Sequence, residues 1–176
     1  YTTFVNKGIR VEPMYVTRIE DNRGNILAQF TPQMFEIISE ETSYKMLAML
    51  QAVINEGTGI RLRYRYQFKG EIGGKTGTTQ NNSDGWFIGV TPELVSGSWV
   101  GGEDRSIHFD SMVEGQGASM ALPIWALYMQ KVYADETLGY SDSTHFEIPK
   151  ELQRRFNCTQ QSDSIKASAN LVSDDI

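Results

Sequence analysis

A lysine beside glycines and hydroxyl side chains marks the stretch of this chain best suited to chemistry, Gly73-Gly74-Lys75-Thr76-Gly77-Thr78-Thr79. An ammonium group and hydroxyl donors together suit a ligand that carries a carboxylate. If the stretch is a strand, Thr76 and Thr78 share one face, and Lys75 faces the other way. Glycine at position 77 would let a substrate backbone approach closely. A free backbone N–H at a sheet edge can also stabilise the oxyanion of an acyl-transfer intermediate, an effect of about 3 kcal/mol per donor.

The same letters raise the alternative of a phosphate-binding loop. That loop needs a glycine, four further residues and then Gly-Lys-Ser or Gly-Lys-Thr. Here the first glycine would have to stand at position 69, which is Lys69, and Gly70 comes one place too late. A phosphate-binding loop also leads into a helix, whereas Asn81-Asn82-Ser83-Asp84-Gly85 is followed by Trp86-Phe87-Ile88. Spacing and context both argue against phosphate binding.

The composition fits one globular domain or a large part of one, because 40% of the 176 residues are hydrophobic. Against 22 acidic residues there are 16 basic ones, a net charge of -6, and no basic cluster has the pattern that tracks a phosphate backbone. We therefore expect no nucleic-acid partner. His108, His145 and Cys158 share no metal-ligand spacing, so we expect no metal, and no motif indicates a cofactor. No apolar run is long enough to cross a bilayer.

Hydrophobic periodicity and turn residues predict an α+β fold with an antiparallel sheet of about five strands and packed helices. Ser39 is a candidate N-cap, and Pro123 suits the first turn of a second helix. Short connections between the last three strands favour an antiparallel meander. The predicted strands cover residues 15–19, 26–30, 71–79, 85–90 and 94–100, and the predicted helices cover 39–56 and 123–133.

Two segments outside these elements are also assigned from composition. Residues 58–69 combine basic and aromatic side chains and are predicted to be a solvated connector whose long side chains cover apolar surface. After Gly139 the chain turns polar, so residues 1–139 are predicted to form the folded domain and residues 140–176 a poorly ordered polar tail.

Several other segments keep a spacing that is typical of one enzyme family. They resemble the class A penicillin-binding proteins, and the resemblance extends over most of the chain. Trp86 and Phe87 are similar to family residues on the next strand, where packing rather than catalysis is predicted. The segments that carry the resemblance, besides the Lys-Thr-Gly stretch, are Val11-Glu12-Pro13, Asn55-Glu56-Gly57-Thr58-Gly59, Asp84-Gly85-Trp86-Phe87-Ile88-Gly89, Thr91-Pro92-Glu93-Leu94-Val95, Trp99-Val100-Gly101-Gly102, Ala121-Leu122-Pro123-Ile124-Trp125 and Tyr128-Met129.

The resemblance implies a partial penicillin-binding transpeptidase fold, which is similar to that of the serine β-lactamases. It implies a peptidoglycan synthase that cross-links D-Ala-D-Ala stem peptides through a serine acyl-enzyme and that binds β-lactams. Lys75 would organise proton transfer at the nucleophile, and Thr76 and Thr78 would hold the substrate or β-lactam carboxylate. The backbone N–H of Thr78 would stabilise the oxyanion. Lys75 and Thr78 are thus the predicted catalytic residues, and Thr76, Gly77 and Thr78 the predicted substrate-binding residues.

The family's catalytic order is Ser-x-x-Lys, then Ser-x-Asn, then Lys-Thr-Gly, and this chain has only the third motif in place. Thr42-Ser43-Tyr44-Lys45 has threonine where the serine should be, and it lies too near the Lys-Thr-Gly stretch. Ser168-Ala169-Asn170 follows Lys75 instead of preceding it. We therefore expect no nucleophile in this chain, and we expect the chain to be a piece of a longer protein with the nucleophile upstream.

Two interpretations of the chain remain. In the first, the longer protein is the synthase, with a glycosyltransferase domain and an N-terminal membrane anchor, on the outer side of the cytoplasmic membrane. In the second, the chain is a non-catalytic binding or assembly module with the same sheet. An open reading frame that extends upstream with both missing motifs would favour the first. We also expect exposed apolar surface that the chain buries by self-association.

Overall fold

The computed structural model describes residues 1–150 and 152. Contacts divide the chain after Phe146, and the helices and strands named here lie in the first unit, residues 1–146. The helices are α1 (Thr2–Val5), α2 (Glu40–Asn55), α3 (Arg61–Tyr64), α4 (Met112–Gly115) and α5 (Gly117–Ala134). The strands are β1 (Ile9–Val11), β2 (Arg18–Glu20), β3 (Ile26–Gln29), β4 (Met34–Glu36), β5 (Gly73–Thr78), β6 (Asp84–Val90) and β7 (Val95–Gly101).

The strands pair antiparallel throughout, which confirms the predicted α+β class and the β5-β6-β7 meander. The prediction of one sheet of about five strands is wrong, because the strands form three separate sheets. The hairpin β2-β3 and the pair β1-β4 form separate two-stranded sheets beside the three-stranded one. The reason is that β2 is exposed along its whole length and β3 along most of it, so neither offers an apolar face to a common core.

The core lies between the three-stranded sheet and helix α5. Phe87 on β6 is fully buried, and its ring lies edge-on to that of Trp125 with the centroids 5.2 Å apart. Gly89 makes room for this packing, because a Cβ added there would lie 2.3 Å from the Trp125 ring. The indole N–H of Trp125 donates to Ser96 Oγ on β7 at 2.8 Å. Packing is therefore the role of Phe87, as predicted.

Helix α2 begins where the sequence predicts. Ser39 is its N-cap, and its hydroxyl accepts from the N–H of Thr42 at 3.3 Å. Leu47 and Ile54 are buried on the face that meets the sheet. Helix α2 packs against β5 and so helps to fix the position of that strand.

Helix α5 starts earlier than predicted, at Gly117 instead of near Pro123. Gly117 fits there because it has no side chain, and a Cβ would lie 2.3 Å from the carbonyl oxygen of Gly77 and 2.6 Å from that of Trp86. Pro123 falls inside the helix, where it removes one N–H donor. The packing of the first turn against the sheet overrides the boundary that a proline normally suggests.

The segment between α2 and β5 was predicted to be a solvated connector, but part of it is buried. It contains α3, and Leu62 and Phe68 in it are buried in the core. The Arg63 guanidinium links the two ends of the segment, because it donates to Asn55 Oδ1 at 3.0 Å and to the Gly70 carbonyl at 2.8 Å. Burial lowers the pKa of Arg63. The periodicity of so short a helix is too brief to read from sequence.

Residues 140–146 belong to the same compact unit as the sheet, although composition placed them in the polar tail. The backbone N–H of Phe146 donates to Glu71 Oε2 at 2.7 Å, and Thr144 donates to Glu93 Oε2 at 3.3 Å. The carboxylates of Glu71 and Glu93 thus bind this stretch through a backbone N–H and a hydroxyl. The rest of the predicted tail, residues 151 and 153–176, lies outside the described residues.

We predict that Gly89→Ala lowers the free energy of unfolding by about 1 to 3 kcal/mol, because the added methyl group must displace the Trp125 ring. The measurement is urea denaturation followed by tryptophan fluorescence. Gly24→Asn is the matched control, since Gly24 has a φ of 83° that asparagine tolerates and no atom lies within 4 Å of an added Cβ. An equal effect in both variants would contradict the proposed packing.

Candidate active site

Strand β5 lies at the edge of the three-stranded sheet, with β6 on one side only. The Thr79 N–H donates to the Asp84 carbonyl at 3.1 Å, and the β5–β6 register runs without a bulge. Hydrogen-bonded and non-bonded pairs alternate along an antiparallel ladder. The N–H and C=O groups of Thr76 and Thr78 are therefore directed away from β6. Among the described residues, this edge has no neighbouring strand.

Lys75 lies at the same edge and is exposed. Its Nζ donates to the outward carbonyl of Thr76 at 2.7 Å. Its side chain starts from the sheet face opposite α5, a face it shares with Gly77 and Trp86. The ammonium group can thus reach the outer edge of β5 although the hydroxyls of Thr76 and Thr78 leave from the other face.

Trp86 shows the consequence of this alternation. It was predicted to pack, yet it is 47% exposed and lies beside Trp99, with ring centroids 6.5 Å apart. Helix α5 covers only the sheet face that carries Phe87, so the opposite face, which carries Trp86, is exposed. Trp86 and Phe87, both predicted to pack, therefore lie in different environments.

The hydroxyl of Thr78 meets the start of helix α5. The N–H of Gly117 donates to Thr78 Oγ1 at 2.9 Å. A backbone N–H can only donate, so Thr78 Oγ1 is the acceptor and its own hydrogen is available for a further partner. The first turn of a helix also carries a positive partial charge, which favours an anion nearby.

The hydroxyl of Thr76 contacts a residue that is not among the predicted site residues. Thr58 Oγ1 and Thr76 Oγ1 are 2.8 Å apart. Thr58 lies in the loop between α2 and α3, within the Gly57-Thr58-Gly59 triplet that carries part of the family resemblance. Gly117, the other partner, could not have been found from spacing, because nothing in the sequence links it to a strand so far upstream.

The remaining sequence candidates do not join this group. Thr42 belongs to the cap of α2, where its hydroxyl is 2.9 Å from Ser39 Oγ, and Lys45 forms an ion pair with Glu41 at 3.0 Å. The two residues that resemble Ser-x-x-Lys thus make local contacts within α2 instead. Ser168-Ala169-Asn170 lies outside the described residues. Within residues 1–150 and 152, no three His, Cys, Asp or Glu residues gather as a metal site would require.

Comparison with known proteins identifies the family. The family model for the penicillin binding protein transpeptidase domain matches residues 1–100. The chain therefore belongs to the family of penicillin-binding transpeptidase domains. It is 34% identical over 151 residues to penicillin-binding protein 1A of Aquifex aeolicus, which covers 86% of this chain. It is 33% identical over 138 residues to penicillin-binding protein 1A of Neisseria lactamica, which covers 74% of it.

The fold is also that of a solved relative. The crystal structure of penicillin-binding protein 1A from Haemophilus influenzae superposes with a TM-score of 0.67 and 23% identity, covering 84% of this chain and 26% of that one. The chain spans 19% of the length of the Aquifex aeolicus relative and 16% of the Neisseria lactamica relative. In the part of the chain that the structure describes, no helix has the length and apolar character to cross a membrane.

The contact between Thr78 and Gly117 generates a stability prediction. Thr78→Val keeps the shape and the strand preference but removes the acceptor for a helix-terminal N–H, so the free energy of unfolding should fall by about 1 kcal/mol. Thr78→Ser keeps an acceptor and should lose less than half of that amount. Chemical denaturation of the two variants beside the unaltered protein measures the difference. Equal stability of the valine variant and the unaltered protein would contradict the capping role.

Proposed function

We propose that this chain supplies the Lys-Thr-Gly strand of a serine D,D-transpeptidase that cross-links peptidoglycan. The observation that carries the proposal is the outer edge of β5, where the Lys75 ammonium and the outward backbone of Thr76 and Thr78 lie together. Membership of the penicillin-binding transpeptidase family supports it. The stem peptides of peptidoglycan and the β-lactams that mimic them are the proposed ligands.

The reaction has two transfers. The serine Oγ attacks the carbonyl carbon between the two terminal D-alanines, the C–N bond breaks, and the serine proton passes to the leaving D-alanine amine. An amine on a neighbouring peptidoglycan strand then attacks the ester carbonyl. This attack forms the cross-link and returns the proton to the serine. A β-lactam enters at the first step, and its ring amide is the bond that opens.

Each proposed role corresponds to a group at the β5 edge. Lys75 organises the proton transfers, because a positioned ammonium stabilises the developing charges around the nucleophile. The N–H of Thr78 faces away from β6 and can donate to the oxyanion of the tetrahedral intermediate. The hydroxyls of Thr76 and Thr78 hold the terminal carboxylate. Gly77 presents no side chain, so the substrate backbone can lie against the strand.

The nucleophile is proposed to stand in a part of the longer protein that precedes this chain. The small share of the relatives' length that the chain covers supports this proposal. The longer protein would include a glycosyltransferase domain and a membrane anchor and would work on the outer side of the cytoplasmic membrane, where peptidoglycan is assembled. A non-catalytic module remains the alternative. Self-association of the chain through its exposed apolar residues also stays a prediction, which sedimentation would test.

Labelling by a fluorescent penicillin tests the proposal. The full-length protein should be labelled covalently at an upstream serine, and the 176-residue chain alone should stay unlabelled because it lacks the nucleophile. In the full-length protein, Lys75→Ala should slow acylation about 100-fold or more, a loss typical of a group that acts in proton transfer. Thr78→Ala should slow it about 10-fold by removing one charge-assisted hydrogen bond while keeping the backbone donor.

Lys69→Ala is the matched control for the loss of an exposed ammonium group, and it should acylate at the unaltered rate. Rates are measured by gel fluorescence at timed intervals. Stable labelling of the isolated chain, or unimpaired labelling of the Lys75→Ala protein, would contradict the mechanism. A full-length protein that penicillin never labels would favour the non-catalytic module.

A further inference from the structure

The loop between α2 and α3 brings a second hydroxyl to the substrate-binding strand. Thr58 Oγ1 lies 2.8 Å from Thr76 Oγ1, across 18 positions of sequence. We propose that Thr58 is a positioning residue, which donates its hydroxyl hydrogen to Thr76 so that Thr76 directs its own hydrogen to the carboxylate of the ligand. This inference rests on the proposed function, because it concerns how the proposed carboxylate site is organised.

Thr78 shows what such an arrangement achieves. Its Oγ1 accepts from the N–H of Gly117, which leaves its own hydrogen available for donation to a ligand. A hydroxyl that faces a carboxylate must donate, because a carboxylate only accepts. For Thr76 to do the same, the hydrogen between the two threonines must come from Thr58. The strand then presents two aligned donors to the two oxygens of one carboxylate.

The chain of hydrogen bonds strengthens the outer one. A hydroxyl that accepts one hydrogen bond is polarised and becomes a better donor in the next. The last bond of the chain ends on an ionised group, which makes it shorter and stronger than a bond between neutral groups. Thr58 therefore affects ligand binding without touching the ligand.

The position of Thr58 is fixed by the glycines on either side of it. A Cβ on Gly57 would lie 2.9 Å from the Cα of Val53, and one on Gly59 would lie 2.6 Å from Cδ1 of Ile54. The Gly59 N–H also donates to the Val53 carbonyl at 2.9 Å. Only small residues let the loop lie this close to the end of α2, and this close packing holds Thr58 in place opposite β5.

The same loop also supports the second threonine. Arg61 follows three residues later, and its Nη1 donates to the Ala118 carbonyl at 3.2 Å and to Ser119 Oγ at 2.9 Å. These contacts hold the first turn of α5, whose Gly117 N–H is the partner of Thr78. The loop thus reaches Thr76 directly and Thr78 through the helix.

The test compares two ligands that differ in the carboxylate alone. Full-length protein carrying Thr58→Val is acylated by a penicillin and by the methyl ester of the same penicillin, and the second-order rate constants are measured. The valine side chain has the same shape but no hydroxyl. We expect about a tenfold loss with the free carboxylate, the size typical of a weakened charge-assisted hydrogen bond, and a change of less than about twofold with the ester. Thr58→Ser should restore the rate with the carboxylate.

Each outcome bears on a different claim. An equal loss with both ligands, or no loss with either, overturns the positioning role of Thr58. A full-length protein that reacts with neither ligand before any substitution overturns the proposed function itself. Thermal unfolding of each variant is measured in parallel, and Thr58→Ala replaces the valine variant if the latter melts early. A carboxylate-selective loss in that variant supports the role, and a loss shared by the ester contradicts it.

Discussion

The close approach of helix α5 to the three-stranded sheet is the contact on which the site depends. Glycines make it possible, since Gly89 admits the Trp125 ring and Gly117 lies against two strand carbonyls. Any larger residue at either position would lift the helix from the sheet. Because the helix lies so close, its first N–H reaches the hydroxyl of Thr78, so one packing constraint serves both the core and the site.

Alternation along β5 and β6 divides the sheet into two environments. One face buries Phe87 beneath α5, and the other exposes Trp86 and the stem of Lys75. The Lys75 side chain leaves from the open face, and its ammonium group reaches the outer edge of β5, where it donates to the Thr76 carbonyl. An edge strand can present both its backbone and its side chains to a ligand, which a central strand cannot do.

Local signals sufficed for part of this arrangement. The N-cap at Ser39 and the meander around Lys75 could be predicted because caps and short turns are decided by neighbouring residues. The separation of the β2-β3 hairpin and the early start of α5 could not, since each depends on which distant surface the element can bury. Thr58 was missed for the same reason. Its contact with Thr76 exists only after α2 has packed beside β5.

The outer edge of β5 is proposed to hold the carboxylate and the oxyanion of the ligand. A crystal structure of the full-length protein acylated by a β-lactam tests it most directly. We expect carboxylate oxygens within about 3.2 Å of both Thr76 Oγ1 and Thr78 Oγ1, and the ester carbonyl oxygen at hydrogen-bond distance from the Thr78 N–H. A carboxylate bound away from both threonines, with the β5 edge still facing solvent, would contradict it.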